Sequence, residues 1–351
     1  MGKRAGIKRP TSRDVARLAG VSHTTVSFVV NDVPTASIPA ETRERVHRAI
    51  AQLDYHPNEA ARRLSRQATH DLALVIPETL NPHYMVIAGG LESYAESRSY
   101  NVFILATAFD VARERRGLRW LKQGRIDGLI LCSTGGTDWH EEAGHLIAEG
   151  QAITMIGGYV RDTEVDWVDA VVGLGECRLL EYLVALGHRR IGYIYGVFNP
   201  AIHGGRLETL LSAQHELGLP VVAEWVRVCG PTPDDGYRAT LDLLASSTAE
   251  GRPTALIAVN DLLAVAVLSA LHVSGIAVPD AMSVVGFDNT PQAIYSSPPL
   301  TTVDPDARAI GEHAGRLTIA RLADPCRPPA RVQTEPRLVV RGSTGPAPRA
   351  I

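Results

Sequence analysis

Cysteine is scarce: Cys132, Cys177, Cys229 and Cys326 are scattered through 351 residues, with no CxxC and no histidine at metal-ligand spacing. That scatter argues against a disulfide framework or a zinc module and reads as reduced packing residues of an intracellular protein. Long apolar runs are missing too. The longest, residues 262–271, is far short of the roughly 20 residues a helix needs to cross a bilayer. Residues 1–10 are basic but lack the apolar core of a signal peptide. The expected compartment is therefore the cytoplasm, with no membrane partner. There is no Walker loop, no dinucleotide fingerprint and no GxSxG; Gly157-Gly158 and Gly204-Gly205 are isolated pairs. No cofactor, metal or catalytic residue is expected.

Positive charge also looks scarce, since the chain carries a net −3. Taken whole, that argues against nucleic acid. The distribution reverses it: residues 1–68 hold twelve Lys/Arg against six Asp/Glu, and the remainder 23 against 32. A basic head of +6 on an acidic body of −9 fits a DNA-binding domain attached to a sensor. The length suggests a small domain plus a larger bilobal one, and 45% hydrophobic with 21% charged residues is globular.

The head is built around residues 14–31, which read as two short helices around a tight turn. Thr11 and Asp14 fit a capping box for the first; Gly20 supplies the turn and Ser22 is a ready N-cap for the second. Val15, Ala16 and Ala19 repeat at helical spacing, as do Val26, Val29 and Val30. The opposite face of the second helix presents His23, Thr24, Ser27 and Phe28 to a partner, which suits a helix-turn-helix. An ordinary helical hairpin would share this shape. A third helix is expected over 41–53, with Val46, Ala49, Ile50 and Leu53 inward and Pro39 as a first-turn residue.

What separates the two readings is a dense run of matches in one order. Asp14-Val15-Ala16, Ala19-Gly20-Val21-Ser22, Thr25-Val26-Ser27, Val29-Val30-Asn31, Thr42-Arg43-Glu44-Arg45-Val46 and Leu53-Asp54-Tyr55-His56-Pro57-Asn58 resemble the head of the lactose/galactose repressor family. The resemblance implies DNA contacts from Thr11, Ser22, His23, Thr24, Thr25, Ser27, Phe28 and Asn31. It also implies a hinge over 58–68, a short helix that enters the minor groove of a pseudo-palindromic operator beside its dimer mate. There Asn58, Ala61, Arg62 and Leu64 are the expected contacts, Leu64 as a wedge between base steps. Without a partner this segment is too short to persist as a helix, so a basic linker is the plain alternative. Phe28 stands where relatives carry a polar or basic residue. It either meets a thymine methyl or folds back on helix one.

From residue 72 short apolar runs alternate with helical patterns, at 72–76, 102–105, 128–131, 153–156, 190–194, 226–228, 255–259 and 283–287. Strands separated by helices mean βαβ units and parallel sheets. Gly187-His188-Arg189-Arg190-Ile191, Val259-Asn260-Asp261, Gly286-Phe287-Asp288-Asn289 and Pro299-Leu300-Thr301-Thr302-Val303 resemble landmarks of the same family's body. The expected fold is a small all-α helix-turn-helix head (1–57) and an α/β bilobal periplasmic-binding-protein-like body with two doubly wound parallel sheets (69–344). Lobe 1 is expected over 69–168 plus 303–325, lobe 2 over 169–302 plus 326–344, and a Pro/Arg tail of little structure over 345–351.

Ligands of such sheets sit at the carboxyl ends of strands. The resemblance implies an effector, a sugar or related metabolite, held by His83, Tyr84, Arg206, Asn260 and Asp288. Arginine suits hydroxyl or carboxylate groups, and an aspartate can accept from two vicinal hydroxyls. Asn260 could equally cap the following helix, and Asp288 could be a solvated turn residue. Three departures make the pocket less aromatic and less polar than usual: Thr209-Leu210 for Gly-Phe, Pro231 for an aromatic, and Val171-Val172 for Asp-Asn. The expected function is a homodimeric transcriptional repressor controlled by that effector. A body that docks a partner protein, or an enzyme on a doubly wound fold, are the alternatives. The head weighs against the enzyme.

Overall fold

The computed structural model describes residues 10–30, 37–55, 68–132, 139–157, 163–196, 200–248 and 251–348, without the side chains of 200–206. Asn31, Asn58, Ala61, Arg62 and Leu64 lie outside the described residues. The chain divides into two units, residues 1–69 and 70–351.

In the first unit α1 (Ser12–Ala19), α2 (His23–Val30) and α3 (Ala40–Leu53) enclose one small core. Both halves of the capping box form, with Thr11 N–H donating to Asp14 Oδ2 (2.9 Å) and Asp14 N–H to Thr11 Oγ1 (3.4 Å). Gly20 ends α1 in the left-handed region, φ +66°. Ser22 Oγ accepts from Thr25 N–H at 3.0 Å, as an N-cap should. Val15, Val26 and Val46 are completely buried against Ala16, Ala19, Val29 and Ala49, so α3 closes the pair. Ile50 and Leu53 are half-buried at its edge. Pro39 takes the position just before α3, one residue earlier than expected; it cannot cap with its side chain, and the first turn keeps no such partner.

The second unit contains two six-stranded sheets. The first has the order β11-β5-β4-β3-β1-β2. These strands are β1 (Asp71–Ile76), β2 (Asn101–Ala106), β3 (Gly128–Cys132), β4 (Ala152–Ile156), β5 (Asp166–Ala170) and β11 (Arg331–Thr334), all paired in parallel. The second has the order β12-β10-β9-β8-β6-β7: β6 (Ile191–Gly196), β7 (Val226–Cys229), β8 (Ala255–Ala258), β9 (Ser283–Phe287), β10 (Thr301–Asp304) and β12 (Arg337–Val339). Only β12 runs antiparallel, against β10.

Strand alternation explains why lobe 1 has two cores. Leu72, Leu74 and Ile76 face one side with Ile130, beneath α4 (Pro82–Glu96) and α12 (Ala307–Ala323). Ala73 and Val75 face the other with Leu129 and Leu131, beneath α5 (Val111–Lys122) and α6 (His140–Ala148). A strand buried on both faces has no polar side to show, which is why β1 reads as an unbroken apolar run. Lobe 2 is wound alike, with α7 (Val172–Ala185), α8 (Pro200–Glu216), α9 (Pro233–Ala245) and α10 (Asp261–Val273). The short α11 (Pro291–Tyr295) follows β9.

The chain crosses between the sheets three times, after residue 170, after 304 and between 334 and 337. This corrects the expected boundary, which put residues 326–344 wholly in lobe 2: β11 adds to the first sheet beside β5. The cause is a buried carboxylate. Asp166, 1% exposed, accepts from Arg321 Nε (3.1 Å), Arg327 Nη2 (2.6 Å) and Ala330 N–H (2.9 Å), which draws the segment after α12 against β5. β5 and β11 escaped the pattern reading because β5 alternates buried and half-buried residues and β11 is mostly exposed. The tail also departs from expectation. Gly345 C=O accepts from buried His188 Nε2 or its partner Ser283 Oγ, and Ala347 N–H donates to Leu186 C=O at 2.8 Å. Cys132 is buried as expected of a packing residue, but Cys177 and Cys229 are half-buried and Cys326 is exposed on the turn after α12.

α4 and α12 cross at near backbone contact. A Cβ on Gly311 would lie 1.9 Å from Ile87 O, whereas one on Gly89 meets nothing within 4 Å. Gly311→Ala should therefore lower the unfolding free energy by about 1–3 kcal/mol through overpacking. Gly89→Ala should raise it by about 0.5–1 kcal/mol, the helical preference for Ala. Urea midpoints of the two variants test this; equal midpoints would mean that α12 can slide away from α4.

Candidate effector cleft and DNA-reading head

On the head, the outward face of α2 is as the sequence implies. His23, Thr24 and Phe28 are exposed, and Ser27 and Thr25 half-exposed. Phe28 is 39% exposed. His23 is already engaged: its Nε2 lies 2.8 Å from Ser12 Oγ, fixing one ring nitrogen on the first turn of α1. Thr11 is occupied as a cap, its N–H and its hydroxyl both donating to Asp14 Oδ2.

On the body, the carboxyl ends of β1 and β9 face each other across the lobes. Beyond β1, Glu78 accepts from the N–H groups of Leu80 (2.7 Å) and Asn81 (3.0 Å), curling the loop. Asn81 then caps α4 through His83 N–H at 3.0 Å, and Pro82 supplies the first helical turn. This presents Asn81, His83 and Tyr84 toward lobe 2. Beyond β9, Asp288 sits at φ +114° and Asn289 at φ +52°. Such backbone in a non-glycine residue is strained and persists only when neighbours fix it. Here Asp288 N–H is held by Val303 C=O (2.8 Å), and Asn289 by Asp304 Oδ2 (3.1 Å) and Arg341 Nη2 (2.6 Å).

The two walls touch. Asn81 Nδ2 donates to Asp288 Oδ2 at 3.3 Å, and His83 Nδ1 lies 3.3 Å from Asp288 Oδ1. Of the expected effector residues, His83, Tyr84 and Asp288 are thus brought together. Tyr84 packs edge-on against His83, and burial together with Cys132, Asp288 and Glu78 pushes its phenol well above the ordinary range. Burial likewise raises Glu78. Asn260 is placed differently: its side-chain oxygen accepts from Leu263 N–H at 2.9 Å and so caps α10. Arg206 falls within the helical span of α8, but its side chain lies outside the described residues. The family departures Val171 and Leu210 are structural here, Val171 preceding α7 and Leu210 buried in the lobe 2 core.

The residue that sequence reading passed over is Asp261. It is completely buried behind Asp288, under Gly286, where an added Cβ would lie 2.4 Å from its Oδ1. It accepts from Thr302 Oγ1 (2.5 Å), Thr290 N–H (2.7 Å) and Thr290 Oγ1 (3.1 Å). Burial, then the neighbouring Asp288, push its pKa up to about 7 despite those donors. The only sequence signal was its place in Asn260-Asp261, which reads equally well as helix capping. A separate pocket of about 300 Å³ lies between α9, α10 and α11, lined by Pro82, Tyr237, Leu262, Val265 and Gln292 among others; it contains none of the expected effector residues.

Comparison with known proteins agrees with both halves. Residues 11–58 match the bacterial regulatory proteins of the lacI family, and residues 180–344 match the periplasmic binding protein-like domain. The HTH-type transcriptional repressor PurR of Pasteurella multocida is 30% identical over 338 residues, covering 95% of this chain and 98% of that one. PurR of Vibrio campbellii is 32% identical over 339 residues, with the same coverage. The chain belongs to the lacI family of bacterial regulatory proteins. Among solved structures, the lac repressor dimer bound to operator and the anti-inducer ONPF is 25% identical with a TM-score of 0.83, covering 96% of this chain and 100% of that one. A CelR–cellobiose complex is 29% identical with a TM-score of 0.69, covering 95% and 100%. The lacI-family chain is thus a helix-turn-helix transcriptional regulator and not an enzyme. None of its described helices is long and apolar enough to cross a membrane.

Asp261 gives a pH-dependent test. Its folded pKa lies above the unfolded value near 3.9, so folding favours the protonated form. Its contribution is fully present below pH 4 and is lost as pH rises toward 7. At about 1.4 kcal/mol per unit, Asp261→Asn should gain on the wild type by up to about 4 kcal/mol between pH 4 and pH 7.5. Denaturant midpoints at the two pH values measure the gap; a gap that stays constant would mean Asp261 does not titrate across that window.

Proposed function

We propose that this regulator is a cytoplasmic homodimeric repressor that binds a pseudo-palindromic operator and is controlled by a small molecule, a sugar or related metabolite, in the interlobe cleft. The observation that carries the reading is Asp288, a strained carboxylate at a strand end, facing Asn81 and His83 of the other lobe. A group with both oxygens directed between the lobes can exchange its protein donors for two hydroxyls of a ligand. Arg206 would supply donors from α8. Related structures, one with cellobiose and one a dimer on operator with ONPF, support the same assignment. Leu80 (67% exposed), Ile294 (48%) and Tyr295 (84%) are exposed apolar side chains that a dimer mate would cover.

The test is operator retention on gels with a panel of sugars and nucleobases, cellobiose included, alongside melting of the full chain, since a bound ligand stabilises by mass action. Arg206→Ala and Asp288→Ala should each abolish the response to the active compound while leaving operator binding largely intact. A variant still responding at the wild-type concentration removes that residue from the site.

The hinge carries the second expectation. Leu64 follows an alanine-containing basic turn that cannot hold a helix alone, so its order would come from DNA and the dimer mate. Wedging into a base step kinks the duplex at a cost of a few kcal/mol, offset where both half-sites are gripped. Leu64→Ala should lower operator affinity and DNA bending together, with non-specific binding little changed. Circular-permutation gel shifts on a palindromic operator read both; unchanged bending would make the segment a tether only.

A further inference from the structure

We propose that the outward face of α5 is a second contact for duplex DNA, carried by the body and separate from the head. Charge along the body is uneven. Residues 111–125 hold six Lys/Arg against one Asp/Glu, whereas the rest of the body, 69–110 and 126–351, holds 17 against 31. An otherwise acidic body thus carries one basic stretch, and the fold places it on a fixed element.

The inner side of α5 sets its rotation. Leu118 and Leu121 are buried in the core with Ala73 and Val75. Gly117 lies so close to the sheet that a Cβ would come within 2.9 Å of both Val75 Cγ2 and Leu129 Cδ1. The one acidic residue also turns inward. Glu114 is 1% exposed and accepts from Trp139 Nε1 at 2.7 Å, so it does not cover the outer face. Arg113, Arg116, Arg119 and Lys122 are left exposed, with Arg125 just beyond the helix. Steps of three residues space them by about 4.5 Å along the axis.

Little negative charge meets this face. Asp110 lies 3.5 Å from Arg113, and Glu142 of α6 lies 3.8 Å from Arg115. Both pairs are open to solvent and contribute little. Asp127 is taken by His70 N–H at 2.7 Å. Among the described residues Arg116, Arg119, Lys122 and Arg125 form no ion pair. Like charges three apart repel, and a cation in the first turn opposes the helix dipole. The arrangement therefore costs helix stability until an anion meets it.

The chemistry of the face selects the anion. The exposed residues of α5 are Ala112 and the four cations, with no large apolar side chain among them. A protein partner would lack the desolvated anchor around which affinity is usually centred. Five of the six cations are arginine, whose planar fork meets phosphate with two bonds. Duplex DNA carries one negative charge per about 1.7 Å of axis, close enough to engage several of them together. Such a contact is to phosphates alone and carries no sequence preference.

The test uses the full-length protein. One variant combines Arg116→Gln, Arg119→Gln and Lys122→Gln, replacements that keep good helix formers. A control combines Arg308→Gln, Arg331→Gln and Arg337→Gln, removing the same charge from exposed positions elsewhere on the body. In one arm the heads are saturated with a short operator duplex selected in vitro, and a labelled operator-free duplex is titrated. In the other, the short operator is compared with the same operator carrying long flanks. The α5 variant should lose about tenfold or more in affinity for the operator-free or flanked duplex, and about 3 from the salt slope, one per phosphate contact. The control should match wild type, and the urea midpoint of the α5 variant should equal or exceed that of wild type. Arg116→Lys with Arg119→Lys keeps the charge and should keep most of the binding; a loss equal to that of the Gln variant would point to helix damage and overturn the proposal. Equal losses in the α5 variant and the control assign the effect to net charge and overturn it too, as does an α5 variant identical to wild type in both arms. A polyglutamate peptide bound by wild type but not by the α5 variant, with no change toward duplex, would assign the face to an acidic protein instead.

Discussion

Asp288 faces the opposite lobe with another carboxylate, Asp261, buried behind it. Two aspartates, one buried and one at the cleft, repel unless one is neutral. Here the buried one yields: Asp261 is pushed up to about 7, while Asp288 keeps the contacts that span the lobes. The donors on Asp261 come from Thr290, which opens α11, and Thr302, in the middle of β10. One side chain therefore ties α10, β10 and α11 together directly beneath the strained turn. The strain at φ +114° is maintained by this packing, and the cleft geometry follows from it.

The head and the body solve different problems. Among the described residues, the head has seven buried core residues, all Val or Ala, around three short helices, so its stability rests on caps and close helix approach as much as on apolar area. The body has ample core and spends polar groups on joints. The body carries the net negative charge and the head the net positive charge, the sign that phosphates attract. Charge distribution along the chain thus separates a reading surface from a sensing one before any fold is formed.

Much of this was legible in the sequence because it is periodic or punctuated. Caps at Thr11 and Ser22, the Gly20 turn and the apolar strands of both sheets follow from local rules, and the structure places them accordingly. What escaped was non-local. β11 joins the first sheet because Asp166, 161 residues before Arg327, captures it, and no window of sequence contains that pair. Asn260 and Asp261 illustrate the limit within two residues. Both could cap a helix; the first does, and the second turns inward because Gly286 leaves space for a carboxylate there. Pro231 is half-buried beside Gly196.

The two buried aspartates also show how the same residue type can make a fixed joint or a responsive one. Asp166 is met by two guanidinium groups and a backbone N–H, so its buried charge is compensated where it lies. Removing both arginines would leave a buried carboxylate without a counter-charge, which is costly. Asp261 is met only by hydroxyls and an N–H, which stabilise a carboxylate without cancelling its charge. Its ionisation therefore depends on what Asp288 is doing. Asp288 is the neighbouring charge that, after burial, raises it. The rigid joint lies where the sheets are sewn together, and the polarisable one lies under the cleft. A sensor needs this arrangement: lobes that cannot come apart, and a contact face whose charge balance is set by what occupies it.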